Sequence, residues 1–237
     1  MLKHFPNTVF TEPIIISIPA HVREKSTAFV EAMGTEGQSC GYYAHNRNTD
    51  SSRANENINT SKLGEWVAAQ MLFSQFGFPR IEVNFDVLNS NKKKWSPDLD
   101  YPPPFPPVHV KSTSRDYGRG FSWTFQYKNA SGAPGGTDAL FSKINSFNLE
   151  RFFRTRMGTT DAPDMIAYVH VPLPNKLGRA MAFASWRSIV ERGLLRDPIR
   201  PEFVGTKLCI DYDDLLKAFQ HGPNIQRTGQ QRTLPEY

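Results

Sequence analysis

The run "MIAYVHV", Met165 to Val171, constrains the fold more than any other stretch of the chain. A strand with one solvated face alternates apolar and polar residues, and this one does not. Both of its faces must be covered, which puts it at the centre of a sheet with layers on either side. Ile14 to Ile18 reads as a short strand ended by Pro19, and His21 to Met33 as a helix. Lys62 to Phe76 has helical spacing and is closed by Gly77 and Pro79. Ile81 to Val87 and Phe121 to Lys128 alternate with a period of two. Asp98 to Tyr101 and Val108 to Thr113 are two more short strands, separated by the stiff "PPPFPP". Asp138 is placed to cap a helix running towards Arg154. A strand over Ala180 to Ala184, a helix near Ser188 to Leu195 and a helix over Asp211 to Phe219 complete the order. The expected class is α/β, a central mixed sheet flanked by helices, with a crossover helix ahead of the buried strand. A single domain over residues 1–237 is expected, with a core at about 61–195. Residues 38–60 are polar and patternless and read as a long loop; the tail at 221–237 reads as loose.

Composition narrows the class of partner. The 237 residues carry a formal charge of +5, and the isoelectric point is about 9.2. Such an excess suits a polyanion. The two cysteines, Cys40 and Cys209, stand far apart with no histidine at zinc-finger spacing, so no structural zinc is expected. They suit a reducing compartment. The N-terminus lacks an apolar run followed by a small-residue cleavage site, and a cytoplasmic protein is expected. Apolar runs fall well short of the roughly 18 residues of a membrane span. No Walker sequence, GxSxG or HExxH is present, and "SGAPGG" is not a dinucleotide fingerprint.

The chemistry concentrates in "KKKWSPDLDYPPPFPPVHVKSTS", Lys92 to Ser114. Residues two apart on a strand point the same way. His109 and Lys111 therefore share one face of "VHVKST", and Val108 and Val110 the other. Asp98 and Asp100 share a face of "PDLDY". Pairing of these two strands would let acidic groups, an imidazole and an ammonium converge. Divalent-metal cleavage of a phosphodiester needs such a set: oxygen ligands for the cation and a lysine to orient water or stabilise developing charge. On the preceding helix, "KLGEWVAAQMLFSQFG", Glu65 falls between Leu72 and Phe76 within the apolar stripe. A carboxylate facing inward there needs a cation or a hydrogen-bond donor.

"PD", ten residues and then "HVK" resembles the PD-(D/E)XK nuclease superfamily, to which many restriction endonucleases belong. The order of helical glutamate, PD, XK strand, crossover helix and buried strand matches over about residues 61–171. The resemblance implies a restriction-endonuclease-like core and metal-dependent cleavage of DNA, double-stranded, with Mg²⁺ or Mn²⁺, by a restriction-type or phage-type enzyme. It implies a bacterial or phage-infected cell, and a homodimer suited to cutting two antiparallel strands. It makes Asp98 the metal carboxylate, Lys111 the catalytic lysine and Glu65 an auxiliary ligand, with Gln126 at a position from which some members contact the site. The departure is His109, where the family has Asp or Glu. Imidazole serves Mn²⁺ better than Mg²⁺. Either His109 is itself a ligand, or Asp100 or Glu82 takes the role, or the site is inactive.

Other readings stay open beside it. A second PD, Pro163-Asp164, precedes the buried strand but has no lysine at that strand's end. Glu65 could serve the helix dipole, and Lys111 could be a solvated edge-strand lysine. From Leu88 to Ala130, Lys92, Lys93, Lys94, Lys111, Arg115, Arg119 and Lys128 face only Asp98, Asp100 and Asp116. All these cations but Lys111 are the candidate phosphate contacts. Tyr42, Tyr43, Arg47, Asn48, Arg53 and Asn55 in the 38–60 segment could order on DNA. A non-catalytic nucleic-acid binder on a degenerate nuclease fold is one rival; a protein-interaction module is the other.

Overall fold

The computed structural model describes residues 5–36, 51–85, 98–114, 122–126, 165–196 and 207–219. Chain order is β1 (Thr8–Ser17), α1 (Ala20–Glu36), α2 (Ser51–Phe76), β2 (Val108–Thr113), β3 (Ser122–Gln126), β4 (Met165–His170), β5 (Leu177–Ser185), α3 (Trp186–Glu191), β6 (Lys207–Asp211) and α4 (Tyr212–Phe219). Four strands form one sheet in the order β1-β5-β4-β2, and β3 pairs with β6 in a second, two-stranded sheet.

The apolar run does become an inner strand. Every residue of β4 is buried. It pairs antiparallel with β5, Ile166 opposite Ala184, and parallel with β2, Lys111 opposite Tyr168. The sheet is therefore mixed, and the parallel pair demands a crossover between β2 and β4. Alternate residues of β4 serve two cores. Met165, Ala167 and Val169 pack with Leu63, Val67 and Met71 of α2. Ile166 and Tyr168 pack on the other side with Trp123, Trp186 and Leu215. The indole of Trp123 donates to the carbonyl of Val169 at 2.9 Å and ties the small sheet to the large one.

Helix ends follow local chemistry. Gly77 has φ +67°, and the Phe78 amide donates to the Leu72 carbonyl. The chain thus folds back over the last turn of α2 at the left-handed Gly77, and Phe78 is buried against the core. The hydroxyl of Ser185 accepts from the Ser188 amide and caps α3.

Several expectations are corrected. The loop expected over 38–60 is helical from Ser51 onward, because α2 starts there. Its polar residues are held by specific partners instead of an apolar stripe. Ser26 of α1 donates to Asn59, and Ser114 donates to Glu56. Residues 37–50 lie outside the described residues. The strand expected over Ile81 to Val87 is not formed at 81–85. Ile81, Val83 and Phe85 still pack on the core, so burial produces the alternation without a ladder. Asp98 to Tyr101 contributes a single antiparallel bridge, Leu99 with Val108. β1 starts six residues before the expected Ile14 and ends at Ser17, β5 is longer than expected at both ends, and β6 is an addition to the expected order. The helix expected from Asp138 and the tail from 221 lie outside the described residues.

Candidate active site

α2 sits close on β2. A Cβ on Gly64 would stand 2.5 Å from the Cβ of Ser112, so only glycine permits this approach. Val108 and Val110 join the same core as α2. The side chains of 108, 110 and 112 thus face the helix, and those of His109, Lys111 and Thr113 face the opposite way. His109 and Lys111 share that face, both half-buried.

β2 is an edge strand of the four-stranded sheet. The Pro107 and Thr113 carbonyls accept from Met165 and Val171, at either end of β4. Val108 turns the other way, exchanging both of its backbone bonds with Leu99 at 3.0 and 3.1 Å. Val110 has the same outward backbone direction, and its amide donates to Asp98 Oδ2 at 2.8 Å. Leu99 and Tyr101 are buried while Asp98 and Asp100 are exposed, so the two carboxylates share the outer face of this segment. Asp98 folds back to the outer edge of β2, between the face that meets α2 and the face that carries His109 and Lys111.

Glu65, on α2, lies close enough to feel the charge of Asp98. It is 7% exposed. Burial pushes its carboxyl up to about 7; the nearby Lys62 opposes that rise, and the negative charge of Asp98 adds to it. Lys62 Nζ lies 2.8 Å from Glu65 Oε2. The inward carboxylate thus has the cationic partner that its place in the apolar stripe requires. Lys62 was not among the residues singled out in the sequence, although its i,i+3 spacing to Glu65 is an available signal.

The remaining candidates divide. Glu82 is exposed on the segment after α2. Gln126 ends β3, with its backbone opposite Lys207. Lys92, Lys93, Lys94, Arg115, Arg119 and Lys128 lie outside the described residues. Among the described residues, no three His, Cys, Asp or Glu side chains are grouped to hold a metal ion. Two acids brought into electrostatic contact suit a hard cation all the same. Mg²⁺ is commonly held by one or two carboxylates, with waters and substrate phosphates filling its other positions. A buried acid whose ionisation is opposed by its surroundings is also the kind of group a cation would relieve.

No helix among the described residues is long and apolar enough to cross a membrane. Comparison with protein-family models, with curated proteins and with solved structures finds no match to this chain.

Proposed function

We propose that the chain is a metal-dependent DNA endonuclease with a restriction-endonuclease-like core, acting at the outer edge of β2. One observation carries the reading. The charge of Asp98, bonded to the strand that presents His109 and Lys111, reaches a buried glutamate on a separate helix. Asp98 and Glu65 would hold the cation, with His109 in the strand position that the resemblance gives to a third ligand. Mg²⁺ or Mn²⁺ bound there supplies positive charge for the phosphate and a water of lowered pKa. Lys111 lies two residues from His109 on the same strand face and is the group to orient that water or offset charge developing on phosphate oxygens. The Val110 amide fixes one oxygen of Asp98, so this carboxylate is oriented before substrate arrives. Duplex DNA fits the basic excess of the chain, and a two-fold dimer would cut both strands.

His109 favours a second reading. It removes one carboxylate from the strand, which is what a DNA binder with a degenerate site would show. Plasmid digestion with Mg²⁺ and Mn²⁺ in parallel separates the two. The nuclease reading expects cleavage by the parent chain, and a loss of at least about a hundredfold in Lys111→Ala and in Asp98→Ala. Normal nicking by a folded Lys111→Ala protein removes Lys111 from the chemistry. Salt-sensitive DNA binding without cleavage by the parent in either metal leaves the second reading.

A further inference from the structure

We infer that Lys62 is a tethered stand-in cation that sets how tightly the Glu65–Asp98 site takes a divalent metal; this rests on the nuclease reading of that site. The ammonium of Lys62 is held from two sides. Glu65 Oε2 lies 2.8 Å away, and the ring of Phe29 on α1 lies beneath it at 5.2 Å to the centroid. The side chain is only 20% exposed, so its charge is screened less than that of a surface lysine. Lys62 offsets one of the two negative charges that Glu65 and Asp98 bring to the site. Without Lys62 the fold would have to hold the buried Glu65 charge within reach of the Asp98 charge and without this ion pair, a costly arrangement for a buried acid.

The same charge must work against a metal. A divalent ion taken by Glu65 and Asp98 meets the Lys62 ammonium at short range, and the two cations compete for one carboxylate. Phe29 offers the displaced ammonium a π face, a weaker partner than a carboxylate but a real one. Lys62 is thus a positioning residue. It holds one oxygen of Glu65 in place in the metal-free protein and keeps the site from binding cations indiscriminately. A repulsion of one unit charge on a divalent ion at this range, even at solvent-like screening, corresponds to roughly tenfold in affinity.

The test is calorimetric titration with Mn²⁺ at pH 8 on the full chain, with melting temperature read in parallel. Lys62→Met should bind Mn²⁺ about tenfold more tightly than the parent once the heat and free energy of the proton that Glu65 releases on binding are separated by titration in buffers of different ionisation enthalpy. It should melt lower without metal and recover when Mn²⁺ is added. Lys62→Arg keeps the charge and should stay within about twofold of the parent, and Lys62→Gln is the second neutral variant should methionine fail to fold. Unchanged or weaker Mn²⁺ binding in a folded neutral variant overturns the role of Lys62. If the parent shows no Mn²⁺ binding that Glu65→Gln weakens, the site reading itself falls, and Lys62 with it. That outcome differs from the first because it appears in the parent.

Discussion

Replacing Glu65 by glutamine isolates one buried charge and gives it a pH signature. The carboxyl rises from its ordinary 4.5 to about 7, first because it is buried, then with Lys62 lowering it and Asp98 raising it. A group whose pKa is higher in the folded state binds its proton more tightly there. Its contribution to stability is complete below pH 4.5, declines between 4.5 and 7, and is gone above 7. The shift corresponds to about 3 kcal/mol. Below pH 4.5 the protonated acid and the amide are near isosteres, and neither forms an ion pair with Lys62. Above pH 7 the parent carries a charge in a desolvated site and the variant does not. Urea unfolding of both proteins in EDTA at pH 4.5, 6, 7 and 8 should therefore give similar stabilities at the acid end. The variant should gain by about 3 kcal/mol at pH 8. Other carboxylates change the absolute curves but cancel in the difference. A difference independent of pH, or a variant less stable than the parent at pH 8, would refute the view that burial dominates at Glu65. Mn²⁺ added at pH 8 should reverse the order by stabilising the parent alone.

Further outcomes follow from the same geometry. Gly64→Ala should cost about 1–3 kcal/mol by driving α2 off β2; Ser112→Gly should recover most of that in the double variant, since the nearest remaining Ser112 atom is then its Cα at 3.9 Å, and thermal melts of the cycle would show it. His109→Glu should shift cleavage from Mn²⁺ towards Mg²⁺ use, whereas parent activity should fall at acid pH as the imidazole, free pKa about 6.5, takes up a proton; equal cleavage by His109→Ala in Mg²⁺ would make His109 a bystander. Charge reversal at Lys92, Lys93 and Lys94 should weaken DNA binding across sequences and flatten the salt dependence measured by fluorescence anisotropy.

Much of the layout was legible because apolar spacing reports burial. The unbroken run of β4 gave its central place, and the stripe on Lys62 to Phe76 gave both the helix and the inward glutamate. Strand periodicity correctly paired His109 with Lys111 and set both apart from Val108 and Val110. It could not say which face would meet α2, since that depends on Gly64 fitting over Ser112. The first turns of α2 were missed because hydrogen bonds from Ser26 and Ser114 hold them, and such partners leave no periodic trace. Ile81 to Phe85 misled for the converse reason, since an extended segment packed on a core alternates whether or not a neighbouring strand pairs with it. β6 is five residues long, and its partner β3 lies far back in the chain. Nothing local marks such a strand, and from sequence Asp211 reads as the start of the helix that follows.

The parallel pairing of β2 with β4 also fixes when such a site can exist. β4 and β5 are joined by the short turn at 171–176, so their ladder closes over a small loop. β2 reaches β4 only after the long stretch of chain between Thr113 and Met165 has been gathered in, and loop closure over such a span is slow. Asp98 depends on β2, being bonded to Val110. A chain emerging from the ribosome can therefore hold Glu65 on its helix well before Asp98, His109 and Lys111 have a sheet to stand on. Amide protection in a refolding time course should appear in β4 and β5 before β2.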